Sequence, residues 1–390
     1  MKNCTSKKQK WYLISVLAFF ALNSTASLVW AGPARAIIQN VTPKTADGKR
    51  LVGFGLVWAQ NAPQKNRDWG KDINNLRAAR DSAHYNCIRF CDIDWRIGSR
   101  PTSIAPTLAM MDTLIALCGQ LGMYVILDYH CAGSPIQDGS IWDINKYWDV
   151  VAPRYKDVPW VMYEMTNESF QDAPKDTNEW DIAGWTKDAY LNHMRKWAPN
   201  TMIWHLSPVV MDETWVSFLK VYQTAFRFRW EDGKDVFAFH TYMDTESRWI
   251  LELAPNSIPN VCSESGYPEA GHGAVTLDGY KYQAEFFARH DISTVDWVTG
   301  NPDWWTPTPI TFAVTLMVPD ALKKGYAWWT GSAVSPVAGN CLKQSNLPGS
   351  DAREYDILGR LLQPGMITHN SISLIPLNKS GRSAGSLIIR

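Results

Sequence analysis

The chain has 390 residues, enough for one large α/β domain or two ordinary ones. Lysine plus arginine and aspartate plus glutamate both number 38, so the formal net charge is zero, and the charge does not point to nucleic acid or anionic lipid as a partner. The 20 tryptophans are the most unusual feature of the composition, and they indicate either a tryptophan-rich core or flat apolar surfaces for sugar rings.

The first 31 residues are typical of an export signal. Lysines at positions 2, 7, 8 and 10 precede an uncharged apolar run over residues 11–22. Small residues then offer two candidate cleavage sites, at Ala26 and at Ala31. An uncleaved membrane anchor stays open as the alternative, because no charged residue occurs between Lys10 and Arg35. We expect cleavage and a secreted protein, extracellular or periplasmic, with no stable membrane partner.

From residue 49 onward, short apolar runs alternate with longer amphipathic runs. The predicted strands cover residues 51–58, 85–90, 123–130, 160–168, 201–206, 236–242, 260–264 and 326–330. The predicted helices cover residues 72–83, 107–121, 141–152, 180–197, 212–226, 246–253, 310–322 and 353–362, with a further helix at 278–290 in an insertion after the seventh strand. This order favours a (β/α)8 TIM barrel.

An open doubly wound sheet is the alternative fold, but the glycine-rich turn that such folds usually carry after an early strand is missing from the sequence. We therefore predict one catalytic barrel over residues 32–366, a tail of unknown structure over residues 367–390, and a monomer. Cys87 and Cys262 lie inside strand-like runs, which predicts buried thiols. Cys91 and Cys131 each closely follow a predicted strand, and we hypothesise a disulfide between them.

Polar side chains stand at the ends of the predicted strands, which converge on one face of a barrel. They are Arg89, His130, Asn167, Glu168, His240, Tyr242, Glu264 and, on the eighth strand, Trp328 or Trp329. Each has an ordinary structural explanation taken singly, such as a helix cap, a core ion pair or packing. Two glutamates at strand ends are the combination that glycoside hydrolysis needs, one as acid and one as nucleophile. We expect the charge of Glu264 to raise the pKa of Glu168.

In this order the residues resemble the retaining glycoside hydrolases of clan A, and most of all glycoside hydrolase family 5, the cellulase family. The resemblance covers residues 51–331. It implies that Glu168, in the Asn167–Glu168 pair, is the acid/base and that Glu264, followed by Ser265 and Gly266, is the nucleophile.

The same resemblance implies that the other residues matching the family pattern bind the substrate, a β-linked polysaccharide or oligosaccharide such as a glucan or mannan. Those positions are Arg89, His130, Asn167, His240, Tyr242 and Trp328. It implies no cofactor and no metal ion. The chain departs from the family pattern at Ser169, where proline usually follows the Asn–Glu pair, and in the long insertion after the seventh strand.

Two other classes of protein remain as alternatives. A metal-dependent barrel hydrolase would use His130 and His240 as ligands, although the early His-x-His that such sites often show is missing. A non-catalytic carbohydrate-binding barrel would keep the tryptophans without the chemistry, and the presence of both glutamates argues against it.

Overall fold

The computed structural model describes residues 32–58, 69–92, 103–130, 141–168, 186–206, 232–241, 258–265, 277–297 and 317–323. It also describes the backbone of residues 354–356, 371–373 and 388–389. The predicted export signal, residues 1–31, lies outside these ranges and stays a prediction. No helix among the described residues is both long enough and apolar enough to cross a membrane.

Eight parallel strands close into a barrel after an N-terminal antiparallel hairpin. The hairpin consists of β1 (Ile37–Gln39) and β2 (Thr42–Lys44). The barrel strands are β3 (Val52–Trp58), β4 (Cys87–Asp92), β5 (Tyr124–Tyr129), β6 (Val161–Glu164), β7 (Ile203–Leu206), β8 (Asp235–Thr241), β9 (Asn260–Ser265) and β10 (Thr294–Asp296). Neighbours in the chain are neighbours in the barrel, and β10 closes it between β9 and β3. The predicted TIM barrel is confirmed.

The barrel strands are buried along their lengths, as strands covered on both faces must be. Their sequences are near-continuous apolar runs, which is why the first seven strands could be predicted from the sequence. The largest fully buried side chains include Trp148, Trp160 and Trp204. At least these three tryptophans belong to the core and not to a sugar-binding surface.

The eighth strand is the main correction to the predicted topology. The sequence predicts it at residues 326–330, which lie outside the described residues, whereas the structure places β10 (Thr294–Asp296) in that position of the barrel. The helix at 278–290 is consequently the crossover between β9 and β10 and not part of an insertion. The error has a physical reason: a three-residue strand ending in Asp296 has too few apolar residues to show a strand pattern.

The described helices are α1 (Ile73–Asp81), α2 (Ala105–Leu121), α3 (Ile141–Tyr155), α4 (Leu277–Arg289) and α5 (Val318–Lys323), with a 3-10 turn at Trp69–Lys71 and a π-helix at Ala189–Arg195. Asp72 caps α1 by accepting a hydrogen bond from the Asn74 amide. Gly122 ends α2 with a left-handed conformation (φ 71°). The predicted helices at 212–226 and 246–253 lie outside the described residues.

The predicted helix at residues 353–362 is wrong over its described part. Glu354–Asp356 forms β11, which pairs antiparallel with β12 (Ser371–Ser373), and β12 pairs with β13 (Ile388–Ile389). The apolar spacing of this segment suits a helix, but partners that are distant in the chain supply strand hydrogen bonds instead, which a local pattern does not show. Two segments of the predicted tail are therefore strands.

The four cysteines among the described residues are thiols. Cys87, Cys91, Cys118 and Cys262 are free and buried, so the prediction for Cys87 and Cys262 is confirmed. The hypothesised disulfide between Cys91 and Cys131 is wrong, because Cys91 lies within β4 as a free thiol and does not follow the strand. Cys131 itself lies outside the described residues.

Candidate active site

Arg89, in β4, is the centre of the polar cluster inside the barrel. Its Nη1 donates to Glu264 Oε2 at 2.7 Å, and its Nε and Nη2 donate to the two oxygens of Glu164 at 2.6 and 3.1 Å. Nη2 also donates to Asn167 Oδ1 at 2.8 Å and lies 3.0 Å from Asp128 Oδ2. The Arg89 side chain is fully buried, and this contact set explains how a buried guanidinium is tolerated.

His130 is held by two neighbours at the end of β5. Its Nδ1 lies 2.7 Å from Asp128 Oδ2, so an ionised Asp128 accepts a hydrogen bond from Nδ1–H and directs Nε2 the other way. The imidazole stacks on the Trp297 indole, with ring centroids 4.9 Å apart and planes 8° apart. Trp297 directly follows β10, and its amide donates to the carbonyl of Ser265.

His240 lies between the two glutamates. Its Nδ1 is 2.6 Å from Glu168 Oε1, and its Nε2 is 3.6 Å from Glu264 Oε2. One carboxylate oxygen of Glu168 and one of Glu264 lie within 4.8 Å of each other. This spacing is close to that of the carboxyl pair in retaining glycosidases, about 5–5.5 Å, and well short of the roughly 6.5–9.5 Å of inverting ones.

The pKa of Glu168 is lowered, whereas the sequence led us to expect that the charge of Glu264 would raise it. Burial acts to raise this pKa, but the hydrogen bond and charge of His240, with the charges of His130 and Arg89, lower it to about 2. The pKa of His240 is raised in turn: burial lowers it, and Glu264 and Glu168 together more than offset that effect. The prediction counted the charge of Glu264 but not the direct contact with His240, so the proton of the pair resides on His240.

The two carboxylates beside Arg89 show the opposite shift. Burial raises the pKa of Asp128 to about 6 although Arg89 and His240 oppose it. Burial likewise raises the pKa of Glu164 above its ordinary value, against the charge of Arg89. The cluster thus holds four carboxyl groups near one arginine, which favours proton uptake by some of them.

The structure brings together six of the eight predicted site residues: Arg89, His130, Asn167, Glu168, His240 and Glu264. Tyr242 and Trp328, with Trp329, lie outside the described residues, and the roles predicted for them stay predictions. Sequence reasoning missed Asp128, Glu164 and Trp297. The sequence does contain a signal for Asp128 and Glu164, since each is a lone acid inside an apolar strand and must have a buried partner.

Two sets of side chains among the described residues have metal-ligand atoms within 4.8 Å of one another: Cys91, Asp128 and His130 in one, and Glu168, His240 and Glu264 in the other. The metal-dependent alternative needs both histidines on one ion, but His130 and His240 fall in different sets. In addition, each histidine already contacts a carboxylate through Nδ1, and Arg89 places a positive charge beside both sets.

Comparison with known proteins identifies the family. Residues 46–303, about two thirds of the chain, match the family model described as cellulase, glycosyl hydrolase family 5. The chain belongs to glycosyl hydrolase family 5. The matched range ends beyond β10 and so contains all eight barrel strands.

Among curated proteins, this family 5 chain is similar to endoglucanase A of Evansella cellulosilytica, with 25% identity over 245 residues, covering 59% of this chain and 45% of that protein. The chain thus spans less than half the length of this relative.

Among solved structures, it resembles a β-glucanase from Saccharophagus degradans in complex with cellotetraose (TM-score 0.56, 15% identity, 74% of this chain and 94% of that one). It also resembles the catalytic domain of a Thermobifida fusca endoglucanase with cellotetraose (TM-score 0.52, 16% identity, 70% and 87%). At these identities the likeness shows the fold.

Proposed function

We propose that this protein is a retaining glycoside hydrolase that cleaves a β-linked glucan by double displacement. The observation that carries the proposal is the approach of the Glu168 and Glu264 carboxylates within 4.8 Å, with His240 between them and Arg89 on Glu264. This separation leaves no room for the water that an inverting enzyme places between its carboxyl groups.

In the first step, a carboxylate oxygen of Glu264 attacks the anomeric carbon, and the bond to the leaving oxygen breaks as that oxygen takes a proton from Glu168. Arg89 holds Glu264 in place through its Nη1. Water then attacks the glycosyl-enzyme, Glu168 removes a proton from it, and Glu264 is released. The Asn167 amide, oriented by Arg89, binds the sugar 2-hydroxyl in this proposal.

The proton for the first step comes from the His240–Glu168 pair. His240 Nδ1 and Glu168 Oε1 are 2.6 Å apart, so a proton moves between them with little motion of either side chain. A substrate that covers the cleft removes water from Glu168, and desolvation favours the neutral carboxyl over the carboxylate. Proton transfer from His240 to Glu168 then loads the general acid when the substrate is in place.

The substrate class is proposed from the relatives. Two solved structures of similar fold hold cellotetraose, which supports a β-1,4-glucan chain as the first substrate to test. Trp297 is buried against His130 (7% exposed), so we assign it to holding His130 and not to stacking under a sugar.

A polysaccharide panel with anomer detection tests the proposal. We expect release of reducing sugars from a β-1,4-glucan or mixed-linkage β-glucan, and NMR of the first-formed product should show the β-anomer. Glu264→Gln, which keeps the shape of the side chain, is the matched control and should release none. First formation of the α-anomer would contradict the double displacement. Sugar binding without turnover by the unaltered protein would support the non-catalytic barrel instead.

A further inference from the structure

We propose that Glu164 is a positioning residue for the reaction, acting through Arg89 on Glu264. This inference rests on the proposed function, because it assigns Glu264 the role of nucleophile. Glu164 ends β6 three residues before Asn167, and neither the family resemblance nor the sequence pattern assigns it a role.

The first argument is geometric. Glu164 receives hydrogen bonds from Nε and Nη2 of Arg89 on its two separate oxygens, which fixes the plane of the guanidinium as well as its position. Because Glu164 occupies the edge of the guanidinium formed by Nε and Nη2, Nη1 projects toward Glu264 Oε2 at 2.7 Å. Both members of the Arg89–Glu164 pair are fully buried, so solvent does not compete for these bonds.

The second argument concerns neighbouring strands. Asp128 in β5 is the register partner of Glu164 in β6, and both carboxylates approach Arg89, Asp128 at 3.0 Å. Arg89 Nη2 also donates to Asn167 Oδ1. One guanidinium therefore links the proposed nucleophile to the amide beside the acid/base, and Glu164 is its only partner among the described residues that holds it by two atoms.

The third argument concerns charge. The charged groups that face Glu264 are Arg89 from β4, His240 from β8 and Glu168 beyond β6. Part of the positive charge of Arg89 is neutralised by Glu164, which limits the stabilisation of the Glu264 carboxylate. A less stabilised carboxylate is a stronger nucleophile, so removing the charge of Glu164 weakens the attack.

An ion pair that only stabilises the fold would behave differently from a positioning residue. The chain offers a matched control in Asp235, a buried acid (2% exposed) at the first residue of β8. It accepts from Arg195 Nη2 at 2.9 Å and contacts His205 Nε2 at 2.8 Å. Asp235→Asn removes the charge of a comparable acid from an arginine that does not contact Glu264.

The experiment compares Glu164→Gln, Glu164→Asp and Asp235→Asn in the full chain. The substrate is an aryl β-cellobioside. A 2-deoxy-2-fluoro analogue traps the glycosyl-enzyme, and the amount trapped gives the number of working active sites. For Glu164→Gln we expect glycosyl-enzyme formation to fall about 100-fold per working site, as a misplacement near 1 Å would cause. KM should stay within about twofold.

Glu164→Asp keeps the charge but shortens the reach, so it should slow the same step. Glu164→Asp alone tests the inference if Glu164→Gln does not fold. Asp235→Asn should lower the melting temperature and leave the rate per working site unchanged. Rates per working site equal to the unaltered protein in both Glu164 variants would overturn the inference. Failure of the unaltered protein to form a glycosyl-enzyme would instead overturn the proposed function.

Discussion

Glu168 and Glu264 have the same side chain but different partners, and the partners suit them to the different roles proposed above. Glu264 accepts from an arginine that always carries its charge, whereas Glu168 contacts a histidine that exchanges its proton near neutral pH. The contact with Arg89 orients the Glu264 carboxylate and suits it to the proposed role of nucleophile. A carboxylate beside histidine can gain and lose a proton in one cycle, which suits an acid/base.

Substitution of the two glutamates should separate these roles. We expect Glu264→Ala to abolish turnover on every substrate, since no other group replaces the nucleophile. Glu168→Ala should lower kcat by about 10²–10⁴-fold on a polysaccharide, the usual contribution of general acid–base catalysis. It should cost much less on a nitrophenyl glycoside, whose leaving group needs no proton, and azide should restore the second step. Azide rescue of Glu264→Ala with a retained β-azide product would reverse the assignment.

The His240–Glu168 pair should also contribute to stability in a defined pH window. The Glu168 pKa is lowered from 4.5 to about 2, so its contribution is present above pH 4.5 and is lost as pH falls toward 2. The His240 pKa is raised above 6.5, so its contribution is full below pH 6.5 and is lost as pH rises through the higher value. Both contributions overlap between about pH 4.5 and 6.5.

His240→Asn should therefore lower the free energy of unfolding most at pH 5–6, by up to about 3 kcal/mol, the equivalent of the Glu168 pKa change from 4.5 to about 2. Urea unfolding at pH 3, 5.5 and 8.5 measures this difference. The loss should be smaller at both extremes, and a loss that is equal at all three pH values would show that the histidine contributes only packing.

At the scale of one element, the N-terminal hairpin is strained at its turn. Gln39 pairs with Thr42, which leaves a two-residue loop, and both Asn40 (φ 51°) and Val41 (φ 55°) have the left-handed conformation of a type I′ turn. Asparagine tolerates that conformation, but a β-branched valine does not. The hairpin is retained because backbone bonds hold it: Asn260, at the start of β9, donates its amide to the Val41 carbonyl.

Val41→Gly should stabilise the protein by about 0.5–1 kcal/mol. Relief of the left-handed strain is worth about 1–2 kcal/mol, and the added backbone freedom of glycine offsets about 0.5–1 kcal/mol of it. Asn40→Gly is the control: it relieves little strain and removes the hydrogen bond from Asn40 Nδ2 to Asp291 Oδ2, so it should destabilise. Thermal unfolding compares the two, and equal effects in the same direction would contradict the strain argument.

At the scale of the whole molecule, some buried acids have raised pKa values and others have lowered ones. Together they should place the stability maximum at mildly acidic pH. Burial raises the pKa of Asp128 to about 6 and raises that of Glu164 and Asp296, so the folded protein binds protons before the unfolded chain does. Stability therefore rises as pH falls from 7 toward 4.5. Below that, the lowered pKa values of Glu168 and Asp235 make stability fall again.

We expect the melting temperature to peak between about pH 4.5 and 6, as measured by calorimetry over pH 3–8. Asp128→Asn, which cannot ionise, should flatten the rise between pH 7 and 4.5 while leaving the fall below pH 4 in place. A maximum at or above pH 7 in the unaltered protein would show that these acids stay charged in the folded state.

The sequence by itself determined the barrel and most of the site. Strands of a parallel barrel are buried on both faces, so seven of them appear as apolar runs, and polar residues at the ends of five of these runs mark the candidate site. Arg89, His130, Asn167, Glu168, His240 and Glu264 were predicted on that basis. These features depend on neighbours in the chain, which a sequence displays directly.

Only the tertiary structure decided which of these groups touch. It placed His240 between the glutamates, which reversed the expected shift of the Glu168 pKa, and it joined Glu164 to Glu264 through Arg89 although 100 residues separate the two acids. It also assigned the eighth barrel position to three residues too few to show a pattern. The physical reason is common to all three: electrostatic contacts and strand pairing depend on distance in space, and residues far apart in the chain leave no local signal of it.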